Sequence, residues 1–419
     1  MTNNVVTESP KSLSFKVSRE CLVAVVLFII LPLYSTPLII YGMWKQKSWA
    51  FILWALFMGL IGILVPPTGD FYRYAMDYEM YKGLEWSDFW FVALLQKDLM
   101  LPLLSFFIGE LGLHFDLSRF LYNFIGYYLL GILYLDIIQN NQYLHGKKVA
   151  LYALGFFVAF NLSIYCFRYF LSAIFFVYGT YQIVYKSKKL GWCFVGLAVF
   201  NHMSYVIHTA ALILQQMHFF RFSRNLVIIL IFLSFFLDSS LIIKAFTFLP
   251  VDFVSTYMIY LDGYWAQDFL EDQSWKLKMQ MFVGNLIQYF CVLIYVSQYK
   301  NSGKKYTSLT NSMLLLATIT TPFATINGRF LAVMTYFIKV HLLVVYDNTR
   351  KMFKYLVVLF WLTMLSNVMG LWGVRRQLAI SDFPILFYSS FFHILNHTYD
   401  SNWIHQNVSE DGNLLQVNF

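Results

Sequence analysis

Charge is scarce in this chain. Of its 419 residues only 12% are Asp, Glu, Lys or Arg, about half of the roughly 25% that a soluble domain carries. That shortage excludes a soluble globular protein of this size. Cysteine is scarce too. Cys21, Cys166, Cys193 and Cys291 stand apart in apolar surroundings with no Cys-x-x-Cys spacing, so neither a metal ribbon nor a disulfide framework is indicated. There is no phosphate-binding P-loop, no His-Glu-x-x-His and no Gly-x-Ser-x-Gly. The sequence therefore gives no support for an ATPase, a zinc protease or a serine hydrolase. The apolar/polar alternation of an outer-membrane barrel is missing, and no internal repeat is evident.

What is abundant is apolar and aromatic: 59% of residues are hydrophobic, with 43 Phe, 30 Tyr and 11 Trp. Apolar runs lie near 21–44, 49–65, 119–138, 149–165, 168–185, 190–203, 205–217, 226–248, 279–299, 309–325, 330–346 and 354–372. The stretches 86–113 and 384–395 are apolar but interrupted, as re-entrant or interfacial segments are. A helix needs about 20 apolar residues to cross the hydrocarbon slab. Open strands cannot cross it, because their backbone groups find no partners within the segment. The expected fold is all-α, a polytopic membrane protein of about 11–14 transmembrane helices with outer-face loops or re-entrant segments. Residues 1–20 read as a polar tail without a cleavage site, 21–395 as one helical domain, and 396–419 as a polar C-terminal tail.

The net charge of +8 is not a nucleic-acid signature, since half of the 30 Lys and Arg sit in six short loops. These are Lys45/Lys47, Lys147/Lys148, Lys186/Lys188/Lys189, Arg221/Arg224, Lys300/Lys304/Lys305 and Arg350/Lys351/Lys354. Placed in the cytoplasm, they alternate consistently with the runs from 139 to 372. The other side then receives 66–88, the long segment 249–278 and the tail from 396, which has no Lys or Arg. Lys11, Lys16 and Arg19 conflict with this assignment, which implies either that the first run does not cross fully or that 86–113 adds a span.

Against that pattern several polar residues are exceptions. Residues 68–83, TGDFYRYAMDYEMYKG, carry Asp70, Arg73, Tyr74, Asp77, Tyr78 and Glu79. Arg168 stands between two apolar runs, Arg329 begins another, and Arg375 and Arg376 follow a third. An arginine at membrane depth is costly and normally faces the bundle interior, paired or lining a cavity. Its planar fork suits phosphate oxygens. Each arginine alone is as readily a salt bridge, for instance Arg73 with Asp77 on a helix. Three on one side favour a shared anion site. His202 and His208 lie near the same edge. A lone histidine there is more often a core residue, but either could take a proton from a hydroxyl. Asp77-Tyr78-Glu79 is a D-x-E, a weak signal for a divalent cation. The aromatics of 71–90, with Tyr257, Tyr260, Tyr264 and Trp265, fit an interfacial belt and a sugar platform equally well.

Taken in order, Gly69-Asp70-x-x-Arg73-Tyr74, Lys97-Asp98, Arg168-Tyr169-Phe170-Leu171-Ser172-Ala173, His202-Met203-Ser204 and Arg329 resemble the EpsG-like branch of the Wzy-type O-antigen and exopolysaccharide polymerases. The resemblance covers roughly residues 50–346. It implies a bacterial inner-membrane glycosyltransferase, active on the periplasmic face. Such an enzyme moves a growing glycan from undecaprenyl pyrophosphate to a hydroxyl of the next lipid-linked unit. It implies no cofactor, no metal and no nucleotide sugar, with a chain-length regulator as a possible partner. On the residues of this chain, His202 and Asp70 become candidate catalytic groups, with His208 competing for the histidine position. Arg168, Arg329 and Arg73 become pyrophosphate ligands. Tyr74, Tyr78, His208, Tyr264 and Trp265 become glycan contacts, and 249–278 becomes a flap. Two other classes stay open: a flippase for the same lipid-linked unit, and a lipid-dependent glycosyltransferase using the D-x-E.

Overall fold

Inside hydrocarbon each backbone N–H and C=O must be satisfied within its own segment, and this chain meets that demand with helices. A computed structural model describes residues 18–96, 98–217, 224–234, 236–237, 239–246, 274–298, 304–410 and 412–415. Among them the extended pairing is confined to one isolated bridge, Val408 with Leu414. Four helical stretches are long and apolar enough to cross a membrane: Asp116–Asn140, Lys147–Ile164, Lys278–Ser297 and Arg350–Gly373. Shorter apolar helices accompany them at Ser48–Ile63, Met100–Glu110, Gly191–Asn201, Asn225–Ser234 and Thr307–Ile319. The protein is an all-α, polytopic membrane protein.

Its centre is a group of closely packed helices, Ser48–Ile63, Asp116–Asn140 and Phe167–Val184. Small residues set the spacing, as expected where helix association relies on close packing. Gly179 of Phe167–Val184 faces Gly191 at the start of the next helix. A methyl group on Gly179 would lie 2.6 Å from the Gly191 carbonyl oxygen, so the two backbones touch and only glycine fits.

The two ends of this bundle differ in chemistry. At one end the basic loops converge. Trp44 Nε1 donates to the Lys147 carbonyl at 3.1 Å, Asn141 Nδ2 to the Leu343 and Tyr346 carbonyls, both at 2.9 Å, and Lys186 pairs with Asp136 at 2.9 Å. At the other end Arg119 is fully buried at the start of Asp116–Asn140. It pairs with Asp116 and donates to the carbonyls of Val65 and Ile63, the latter at 3.1 Å. The C-terminal segment closes over this end. Thr398 donates to Asp116 at 2.8 Å, Tyr399 to the Leu64 carbonyl at 2.6 Å, and His397 meets Asp382 at 2.9 Å. Residues from 396 onward are therefore folded onto the bundle wherever they are described.

Several runs are divided. The run 21–44 is two helices, Arg19–Ile30 and Pro32–Trp44, each too short to cross by itself. Pro32 supplies the reason: the residue before a proline is pushed out of the helical region, and Leu31 sits at φ −145°, ψ 87°. The run 149–165 is interrupted after Gly155. The carbonyl of Val158 left over by that break is taken up by Asn367 Nδ2 at 2.9 Å. The interrupted stretch 86–113 forms two short helices, Trp86–Ala93 and Met100–Glu110.

Candidate functional site

The stretch that opens with Gly69 folds as the helix Asp70–Tyr81, and its period sorts the residues into two faces. Phe71, Ala75 and Tyr78 are buried on one face. Asp70, Arg73, Tyr74 and Asp77, spaced i, i+3, i+4 and i+7, share another face and line a cavity of about 970 Å³. Gly69 enters the helix at φ 59°, ψ −125°, a left-handed conformation natural to glycine. Its N–H donates to the Gly412 carbonyl at 2.7 Å, which brings the C-terminal hairpin, with Glu410, to the cavity wall.

The remaining polar lining comes from distant parts of the chain. Arg168 is in the first turn of Phe167–Val184, His202 follows the last residue of Gly191–Asn201, and Arg329 lies near the start of Ala324–Val344. Because the first two helices form a hairpin, Arg168 and His202 fall at one end, and the Lys186/Lys188/Lys189 turn falls at the other. Leu101, Leu316, Ile319, Ile326 and Phe330 give the same cavity an apolar side. It is mixed in charge as well: three arginines and four carboxylates (Asp70, Asp77, Asp98 and Glu410) line it.

Arg168 is the most constrained of these groups. Its Nη1 pairs with Asp98 Oδ2 at 3.1 Å, its Nη2 donates to the Tyr74 hydroxyl, and its guanidinium lies 4.2 Å from the Tyr74 ring centroid. Nε is buried with no partner among the described residues. The main chain of Arg168 is held by fully buried Asn201, whose Nδ2 donates to the Arg168 carbonyl at 2.9 Å and to Ser172 at 2.7 Å. Tyr122 donates to the same asparagine at 2.6 Å. The guanidinium of Arg329 stands 5.8 Å from the Tyr169 ring, and the Tyr169 hydroxyl donates to the Arg329 carbonyl at 2.6 Å.

His202 turns Nδ1 toward the Ser204 hydroxyl at 2.9 Å. The Ser204 N–H also donates to Nδ1, at 3.4 Å, an arrangement in which Nε2 carries the ring hydrogen; for Nε2 to take a proton, that hydrogen must first pass to Nδ1. Asp70 pairs with Arg73, three residues on, at the exposed rim of the cavity. Arg73 thus takes Asp70 as its partner and leaves Asp77 free of it. Burial raises the Asp77 carboxyl above its ordinary range, against the pull of Arg168 and Arg73.

Two expected glycan contacts lie elsewhere. Tyr78 is buried under the helix, its hydroxyl donating to the Leu113 carbonyl and its ring 5.9 Å from Phe115. Position i+8 from Asp70 explains this, for it falls on the packed face of the helix. His208 is buried among rings, 4.4 Å from Phe330 and 5.0 Å from Tyr205. It does not line the cavity, so of the two histidines only His202 does. Tyr264, Trp265 and nearly all of 249–278 lie outside the described residues. Arg375 leaves the site too, stacked 4.6 Å from Trp372. The D-x-E cannot act as one chelate, because positions two apart on a helix point about 200° apart. Asp77 lines the cavity, whereas Glu79 is exposed on the other side. Among the described residues no group of three or more His, Cys, Asp or Glu is placed to share a metal ion.

Sequence reading assigned no role to Asp98 or Asn201. Asp98 interrupts the apolar stretch 86–113 and is half of the Lys97-Asp98 pair, yet neither signal points to a role. Asn201 is an amide inside an apolar run. No family model, no curated protein and no solved structure matches the chain.

Proposed function

We propose that the chain is a polysaccharide polymerase of the Wzy type, EpsG-like branch. In this reading it transfers a growing glycan from undecaprenyl pyrophosphate to a hydroxyl of the next undecaprenyl-pyrophosphate-linked repeat unit. It sits in a bacterial inner membrane with the cavity toward the periplasm. One observation carries the reading. A cavity of about 970 Å³ joins Asp70, Arg168, His202 and Arg329, from four separated segments, at the end away from the basic loops. Its apolar side suits a polyprenyl tail, and its size admits several sugar rings.

The chemistry then runs as a displacement at the anomeric carbon. The acceptor hydroxyl oxygen forms the new bond to that carbon while His202 Nε2 takes its proton. The anomeric C–O bond to the pyrophosphate breaks, and its electron pair leaves with the phosphate oxygen. Arg168 and Arg329 stabilise the charge that develops there. Asp70, at the rim, is the alternative base. A flippase would need a pathway through to the basic end, and the charged groups of this cavity gather at its one end. A chain-length regulator remains the expected protein partner.

The test is the glycan ladder of cells carrying Arg168→Ala or Arg329→Ala. Long chains are lost while single repeat units stay on the lipid carrier. A normal ladder from either stable, well-expressed variant overturns the site assignment.

A further inference from the structure

We infer that the bundle holds a second site, for a small monovalent anion of chloride size, at Lys339. This residue is nine-tenths buried in the helix Ala324–Val344. It lies ten residues beyond Arg329, about 15 Å along the axis at 1.5 Å per residue, and does not line the large cavity. A separate cavity of about 140 Å³ adjoins it, walled by Trp275–Ser297, Ala324–Val344, Arg350–Gly373 and the broken segment near 158–162.

The lining of this cavity lacks any carboxylate; its hydrogen-bonding groups are Asn161, Gln288, Thr335, Tyr336, Lys339, Thr363, Ser366 and Asn367, with Cys291 beside them. Among the described residues no ion pair includes Lys339. The ammonium lies 5.4 Å from the centroid of the Tyr336 ring. An ammonium without a counter-charge at membrane depth is costly. Thr335 and Thr363 spend their protons on the carbonyls of Ala332 and Leu359, at 2.7 and 2.8 Å. The donors left to the cavity are the three ammonium protons, the Ser366 hydroxyl and the side-chain amides of Asn161 and Gln288. Donors around one fixed cation, with no competing carboxylate, make an anion site. The volume equals about five waters at 30 Å³ each, enough for a halide with part of its hydration.

The inference does not rest on the polymerase reading, and its test does not use activity. The purified full-length protein is melted in detergent with chloride replaced stepwise by gluconate at constant ionic strength. Binding raises the melting temperature saturably, by about 3 °C at a hundredfold excess over half-saturation, and Lys339→Met removes that dependence. Equal melting in both salts, or a dependence that survives Lys339→Met, overturns the site. If Lys339→Met does not fold, the wild-type protein in bromide decides. An anomalous bromide peak within hydrogen-bond distance of the Lys339 ammonium supports the site, and no peak there overturns it.

Discussion

Asp98 holds two parts of the cavity at once: one oxygen pairs with Arg168 Nη1 at 3.1 Å, and the other accepts the Met203 N–H at 2.7 Å. A single carboxylate thus fixes the position of the arginine and the turn that carries His202. Removing its charge frees both. Asp98→Asn is expected to lower polymer formation about 100-fold, the scale of loss when a reacting group shifts by an ångström. Asp98→Glu should recover part of it. Glycan yield at matched protein level checks this, and full activity in Asp98→Asn removes the clamp from the account.

Arg119 and Asp116 make a different kind of pair. Both are buried, and both reach across to the main chain or the C-terminal segment. Breaking a buried pair on one side leaves an uncompensated charge and costs about 3–5 kcal/mol, whereas an apolar replacement of both partners is often tolerated. Arg119→Met and Asp116→Leu singly should therefore lower the melting temperature more than the double variant. Additive losses would show that the pair is not coupled.

Packing at the glycine contact gives a prediction with its own control. Gly179→Ala brings a methyl group to 2.6 Å from a backbone oxygen that cannot swing away, and overpacking of this kind costs about 1–3 kcal/mol. Gly196, on the partner helix, has nothing within 4 Å, so Gly196→Ala should melt like the parent. Equal melting of the two variants contradicts the helix spacing described above.

The D-x-E separates into one residue that matters and one that does not. Glu79→Gln should leave the glycan ladder unchanged, because Glu79 points away from the cavity. Asp77→Asn, on the lining, should reduce it. A loss in Glu79→Gln as large as in Asp77→Asn would favour a chelating pair.

Membrane character and helical class are legible in the sequence because charge is scarce and apolar runs are long. Arg73, Arg168 and Arg329 stand out for the complementary reason, as charges at the edges of runs that exclude them. Their common cavity does not follow from that alone, since it depends on how four segments pack. Arg119 escapes notice because it looks like the flank of a run, and only its buried carbonyl partners reveal a tie between helices. Tyr78 and His208 carry the right chemistry, yet each stands on the packed side of its helix. Asp98 shows the limit most clearly: an acid beside a lysine in sequence acquires its meaning from Arg168, 70 positions away.

Purified protein in liposomes, given lipid-linked repeat units as the only added substrate, with EDTA and no nucleotide sugar, is the decisive assay. A polymerase yields glycans of two or more repeat units there, with one undecaprenyl pyrophosphate released for each bond formed, and no product from Arg329→Ala. Single units that only change leaflet, or elongation that needs a divalent cation or a nucleotide sugar, would contradict polymerase activity of this kind.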